Sequence, residues 1–271
     1  MSWAREACES FGVDDPLRMH VHPALRGAPM LLAFEGWNDA GEAATSAIRY
    51  IEQALQAVPL AEIDAEEFVD LTVARPRVRL ARGRTRVVEW PRVRFSYGRA
   101  DASREIVLGV GVEPHLRWRR FCDLIADLTR RIAVKRVVLV GAYLADVVYS
   151  RPVTVTGFAT LPQLLERIGV SPSDYEGPTG IVGVLAERLG REDIEILSLW
   201  AGLPHYISAS PNPRGALALV QKLSECLGIA IDDKPLRDEA AAFEERISAV
   251  VASDPELNEY VRQLKRRDFA Q

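Results

Sequence analysis

MLLAFEGWNDAGEAATSAIRYIEQAL, Met30 to Leu55, holds a short unbroken apolar run, a turn dense in polar groups and glycine, and a helical pattern. MLLAF (30–34) is apolar at every position and too short for a helix, as expected of a strand buried on both faces. Ala44, Ala47, Ile48, Ile51 and Leu55 recur at helical spacing, which predicts a helix over Ala40 to Val58 with one apolar face. An apolar strand feeding directly into an amphipathic helix is the repeating unit of a parallel sheet covered on both sides.

The unit recurs. EIVLGVG (105–111) predicts a strand followed by a helix near 116–132, with Phe121, Leu124, Ile125 and Leu128 inward. RVVLVGA (136–142) and VTVTGFAT (153–160) predict strands, and LPQLLERIG a short helix. TGIVGVLAERLG (179–190), IEILSLWAG (194–202) and NPRGALALVQKLSECLG (212–228) predict helix, strand and helix. The fold class expected is α/β: three layers around a mostly parallel sheet. Two segments depart from it. Residues 66–97 alternate apolar and basic residues around ARGR, predicting an antiparallel ribbon appended to the main sheet. Residues 232–271 predict two helices broken at Ser253-Asp254-Pro255, a good helix start, and so a helical hairpin packed outside the core or on a neighbouring subunit. The division expected is an N-terminal arm (1–17), an α/β core domain (18–231) and the C-terminal helical hairpin (232–271).

The 271 residues are 48% apolar and 27% charged, the balance of a globular protein, and the net charge of −4 gives no overall bias toward nucleic acid. Four lysines stand against thirty arginines, a composition that points to a high-GC genome. Cys8, Cys122 and Cys226 follow no metal or redox spacing and suit a reducing cytoplasm. Apolar runs reach about nine residues, short of the roughly 20 that span a bilayer, and the first residues lack a signal-peptide core. No membrane partner is expected.

The candidate chemistry gathers at strand ends, where parallel-sheet proteins hold their ligands. In the first turn, Asp39 followed by Glu42 has the form of a capping box, worth about 1 kcal/mol, and Gly36 and Gly41 allow a tight turn. Trp37 could roof the core. Glu35 and Asn38 have no such structural reason. In GVEPHLRW, Glu113 and His115 could act as an acid/base pair; the plainer alternative is a Glu-Pro turn with an exposed first-turn histidine. GAYLADVVYSRP offers Tyr143 and Asp146. In DYEGPTG, beside Tyr175, Thr179 could cap the helix that follows, whose free amides could receive an anion. In LWAGLPHYISASPNPRGA, Asn212 makes a good cap and Pro213 a good first helical residue; His205 and Arg214 flank a loop long enough to border a cleft. There is no GxGxxG, GxxxxGK[ST], GxSxG, HExxH or CxxC, so no cofactor and no metal are expected. Arg75, Arg77, Arg79, Arg82, Arg84, Arg86, Arg92 and Arg94 make the ribbon strongly basic. With only Trp90, Phe95 and Tyr97 for stacking, it is expected to face solvent or a neighbouring subunit, pairing with acidic surface, rather than nucleic acid.

FEGWNDAGEAA, GAYLADVVYSRPVTVTGFAT, YEGPTGIVGVL and SLWAGLPHYISASPNPRGAL together resemble the bacterial branch of the proteasome assembly chaperone 2 family, over residues 18–265. That resemblance implies a core similar to the nucleoside phosphorylase and hydrolase folds, a C-terminal helical hairpin and a homo-oligomer, with a trimer as the order expected. It implies proteasome subunits, or another protein, as partner. Some relatives dock through a C-terminal tail with a penultimate tyrosine; here the tail reads Arg-Asp-Phe-Ala-Gln, and docking through it is not expected. No catalytic set comes with the resemblance. Two readings follow. The first is a non-enzymatic protein-interaction module, assembly-chaperone-like and oligomeric. The alternative is an enzyme or binder of a nucleoside-like or anionic small molecule, using Glu35, Asn38, Asp39, Glu113, His115 and His205. An enzyme should hold Glu35, Asp39 and His115 within about 8 Å of one another around a dry pocket.

Overall fold

The computed structural model describes residues 15–25, 27–81 and 85–268. In chain order these form β1 (Leu17–Met19), β2 (Met30–Glu35), a 3-10 turn (Ala40–Glu42), α1 (Ala43–Ala54), β3 (Val58–Asp64), β4 (Arg77–Ala81), β5 (Thr85–Glu89), β6 (Arg92–Arg99), β7 (Glu105–Val112), α2 (Trp118–Arg131), β8 (Arg136–Ala145), β9 (Val155–Ala159), α3 (Gln163–Arg167), β10 (Ser171–Pro172), α4 (Ile181–Leu189), β11 (Glu195–Pro204), α5 (Pro213–Leu227), α6 (Lys234–Ser253) and α7 (Pro255–Asp268).

Nine strands make one sheet in the order β1-β3-β6-β7-β2-β8-β11-β9-β10. Its centre, β7-β2-β8-β11, is parallel throughout. The longest ladder joins β8 to β11 from Arg136↔Glu195 to Ala145↔Pro204. Antiparallel strands flank this centre, β6, β3 and β1 on one side and β9 on the other.

The unbroken apolar runs have the reason expected of them, because alternate side chains serve opposite cores. In β2, Leu31 and Ala33 join a cluster with Ala44, Ala47, Ile48 and Ile51 of α1 and Leu219, Val220 and Leu223 of α5. Met30, Leu32 and Phe34 face the other way, toward Phe121 and Ile125 of α2 and Ile181 and Leu185 of α4. Helices thus cover both faces in three layers. Each fully buried Leu or Ile contributes about 1.5–3 kcal/mol relative to an exposed one. Leu236 of α6 joins the first core, and Val251, Val261 and Leu264 of the C-terminal helices close a smaller cluster with Val148. Asp254 starts α7, accepting from the amides of Glu256 and Leu257, both at 3.0 Å.

Several expectations need correction. The helix predicted to reach Val58 stops at Ala54; Gln56 turns the chain at φ 49°, and Val58 opens β3. The antiparallel ribbon forms as expected, as a two-stranded sheet of its own in which β4 and β5 pair with each other from Arg77↔Glu89 to Ala81↔Thr85. The last part of the predicted ribbon, β6, lies inside the main sheet between β3 and β7. Leu17, expected in an N-terminal arm, begins β1 and pairs with Ile63. The expectations for residues 1–14 (Cys8 included), for Arg82 and Arg84, and for the tail 269–271 fall outside the described residues. Cys122 and Cys226 are buried free thiols, and burial pushes Cys122 up to about 12, so both pack rather than react.

Candidate functional site

The first strand-to-helix turn is tied into its surroundings through both backbone and side chains. Beyond β2, the carbonyl of Asn38 accepts from the Ala142 amide at 2.8 Å, so the turn continues the pairing with β8. Asp39 is buried, 6% exposed. Its Oδ1 accepts from the amides of Ala44 at 2.7 Å and Thr45 at 3.3 Å, and its Oδ2 accepts from the Thr45 hydroxyl at 2.5 Å. The residue does cap a helix, but five and six positions on rather than three. The expected capping box does not form: Glu42 sits at φ 50° and makes no side-chain cap. Gly41, at φ 57°, inserts a 3-10 turn before α1 and thereby displaces the cap. Burial raises the Asp39 carboxyl, and the bonds from Thr45 and Ala44 oppose that rise.

Glu113, at the end of β7, is the centre of the cluster. Its Oε1 accepts from Asn38 Nδ2 at 2.7 Å and from the Ile181 amide at 2.9 Å; its Oε2 accepts from the Trp37 amide at 3.3 Å. Ile181 is the first residue of α4, so the anion at that helix start comes from the chain itself. Thr179 does not cap α4: its hydroxyl donates toward the Gly180 carbonyl at 3.5 Å, and Gly180 holds the cap position without a side chain. A Cβ at Gly180 would lie 2.2 Å from Asn38 Oδ1, so only glycine lets α4 approach the turn so closely. The buried Asn38 Oδ1 has no hydrogen-bond partner among the described residues.

The remaining residues of the enzyme reading are each held by partners of their own. Glu35 pairs with Arg49 of α1. His115 Nδ1 accepts from the Asp70 amide at 3.1 Å. Asp39, Glu113 and His115 line neither of two cavities in the molecule, one of about 160 Å3 beside α6 and one of about 630 Å3 at the ribbon. Trp37 does not roof the core; it is 62% exposed. Tyr175 is exposed too and donates to the Pro178 carbonyl at 2.9 Å.

A second group joins the ends of β8 and β11 to the C-terminal hairpin. His205 Nδ1 lies 3.0 Å from Asp146 Oδ1, and Tyr260 of α7 donates to the same oxygen at 3.3 Å. His205, Tyr206 and Tyr260 stack edge to face at 5.5–5.6 Å. Burial pushes the Tyr206 hydroxyl up to about 12, and it donates to the Val147 carbonyl at 3.0 Å. Nearby, Asn212 caps α5 as expected, accepting from the amides of Arg214 at 3.2 Å and Gly215 at 3.1 Å. Arg214 donates to the Arg151 carbonyl at 2.7 Å and faces Glu244 of α6. The loop before α5 borders the cavity of about 160 Å3, with Phe243 and Ile247 across it. Tyr143, exposed at the end of β8, approaches Gly202. Among the described residues no three His, Cys, Asp or Glu side chains converge as metal ligands, and no helix is long and apolar enough to cross a membrane.

Sequence reasoning missed Thr45 and Arg49, the partners of Asp39 and Glu35. Their i, i+6 and i, i+14 separations become contacts only once the 3-10 turn is in place.

A family model described as the PAC2 family matches residues 33–251. None of the curated proteins matches the chain. Among solved structures, a proteasome-assembly chaperone homologue from Mycobacterium tuberculosis is 40% identical at a TM-score of 0.78, over 86% of this chain and 99% of that one. A PAC2 family protein from Streptomyces avermitilis is 37% identical at 0.78, again over 86% and 99%. An archaeal proteasome activator from Pyrococcus furiosus shares the fold at 18% identity and a TM-score of 0.69, over 86% and 97%. Two thirds of the chain and more lie within the matched region, and the two bacterial likenesses run the length of their own chains: the protein belongs to the PAC2 family.

Proposed function

We propose that this protein is a non-enzymatic protein-interaction module, a homo-oligomer that assists assembly of a proteasome-type particle. One observation carries the reading. The carboxylates at the strand ends are already bonded within the chain: Glu113 holds three donors, Asp39 three, and Glu35 an arginine. A general acid or base must be free to meet a substrate, and these groups instead fix a turn and two helix starts. The mycobacterial relative described as a proteasome-assembly chaperone homologue supports the choice of partner.

The surface supports self-association. Val78 and Leu80 of β4 and Val87 and Val88 of β5 are exposed, Leu80 at 59%. A lone two-stranded ribbon is marginal in water, and a row of exposed branched side chains on one suits a protein contact. The ribbon is basic, while α6 presents Asp238, Glu239 and Glu245 outward. A basic ribbon of one copy on these carboxylates of the next is a head-to-tail contact, which closes into a ring when the rotation between copies closes. A trimer is the order proposed.

The test is light scattering of the purified protein together with reconstitution of the proteasome ring from its separate subunits, with and without this protein. A trimeric mass and a stoichiometric complex with proteasome subunits during ring formation are expected. A monomer that neither binds those subunits nor changes the rate of ring formation overturns the reading.

A further inference from the structure

The cavity of about 160 Å3 is lined by the chain's own Arg214 and Glu244, which pair with each other, and the His205 group is satisfied by its neighbours. The larger cavity is different. It measures about 630 Å3 and lies between α1, the base of the ribbon and the carboxyl end of β7, with Val110, Gly111 and Val112 as its floor. Arg49, Arg75, Arg77, Arg92 and Arg94 line it, against two carboxylates, Glu35 and Glu89. Both carboxylates are taken: Glu35 by Arg49, and Glu89 by Arg79 at 2.5 Å. Arg92 is bound to Glu62 at 2.9 Å. Arg75, Arg77 and Arg94 form no salt bridge among the described residues, so three guanidinium groups line one cavity outside any ion pair, although Arg77 stands opposite Glu89 on the paired strand.

This concentration occurs in a chain whose net charge is −4, and the field is felt locally: the Glu89 carboxyl is held below its ordinary value by its bond to Arg79, with Arg92 and Arg94 adding to the effect. Like charges gathered in a concave site focus the potential and raise the local concentration of counter-ions. Guanidinium groups meet phosphate and carboxylate oxygens two at a time. The cavity volume falls within the roughly 300–1,000 Å3 of small-molecule sites, and its floor is a strand end of the parallel centre, where such folds hold ligands. Arg92 and Arg94 stand two apart on one strand and so on one face.

We propose that this cleft binds a small ligand carrying two or more oxyanion groups, an organic phosphate or a polycarboxylate, held by Arg75, Arg77 and Arg94. The site is separate from the bonded strand-end turn and does not depend on the assembly role.

Titration calorimetry on the full chain tests it, with tripolyphosphate, citrate and a short single-stranded oligonucleotide as probes. Saturable binding of tripolyphosphate or citrate at one site per chain is expected, the tighter of the two naming the oxyanion. Arg94→Gln is expected to raise Kd at least about tenfold, and Arg77→Gln/Arg94→Gln to abolish the heat. Arg86→Gln, on the ribbon but outside the cleft, should leave Kd unchanged. Melting temperatures of the unliganded variants verify that each is folded. No saturable heat with either anion, equal weakening by Arg86→Gln and Arg94→Gln, or an oligonucleotide that binds more tightly than both small anions overturns the proposal.

Discussion

Glu113 accepts from two amides and one side chain that lie 68 to 76 residues away along the chain. Removing it leaves the Trp37 and Ile181 amides and the Asn38 side chain without their acceptor, and each buried orphan donor costs about 1–3 kcal/mol. Partial exposure lets water take over some of that role, so Glu113→Ala is expected to destabilise by about 3 kcal/mol. Glu113→Gln keeps an acceptor and loses the charge at the start of α4, an effect of about 1 kcal/mol. Urea unfolding of both variants measures this, and an alanine variant as stable as the parent would remove Glu113 from its central place. Asp39 makes a prediction in pH. Burial raises its carboxyl above the ordinary 3.8, so the folded state favours the protonated form. That contribution is fully present below 3.8 and is lost as pH rises through the raised value. Asp39→Asn cannot titrate. The stability of the parent relative to Asp39→Asn should therefore fall as pH climbs from about 4 toward neutrality, and a difference that stays flat across that range would contradict it.

At the scale of elements, two helices begin at this face by different means. A short-range device starts α5: Asn212 accepts from the amides two and three positions on, with Pro213 behind it. Asn212→Ala should cost about 1 kcal/mol, as other caps do, and chemical denaturation is expected to show that loss without a change in m-value. By contrast, a carboxylate from another strand starts α4. The difference explains what the sequence could disclose. Asn212 was legible because a cap and its amides are neighbours in the chain, and β2, β7, β8 and β11 were legible because burial on both faces leaves an unbroken apolar run. β3 was not, since VPLAEID follows the α1 pattern closely and its Glu62 and Asp64 look like a solvated face. β6 was hidden among arginines, because Val93, Phe95 and Tyr97 reach the core at alternate positions, interleaved with Arg92 and Arg94. Glu113 was singled out for chemistry because its position at a strand end is local information, whereas its three donors are not.

Across the whole molecule, the ribbon is the feature that the fold does not explain from within. Its strands pair only with each other, neither lies on the main sheet, and Val78, Leu80 and Val88 remain exposed. Val78 and Val88 are directly opposed, and Leu80 stands two residues from Val78 on the same face. An aspartate at position 80 would therefore sit in the middle of any contact made by that face. It would touch none of the three layers, because α1, α2, α4 and α5 build their cores without ribbon residues. Leu80→Asp is accordingly expected to lower the mass seen by light scattering from that of the proposed oligomer to that of a monomer. The melting temperature of the isolated subunit should change by no more than surface substitutions usually allow, about 0.5 kcal/mol in stability. Reversing charges on the proposed opposite surface, with Glu239→Lys and Glu245→Lys, should weaken association through a steep dependence on salt, because these side chains lie at the rim of the contact. An oligomer unaffected by either change would place the subunit contact elsewhere and leave the ribbon free for other partners.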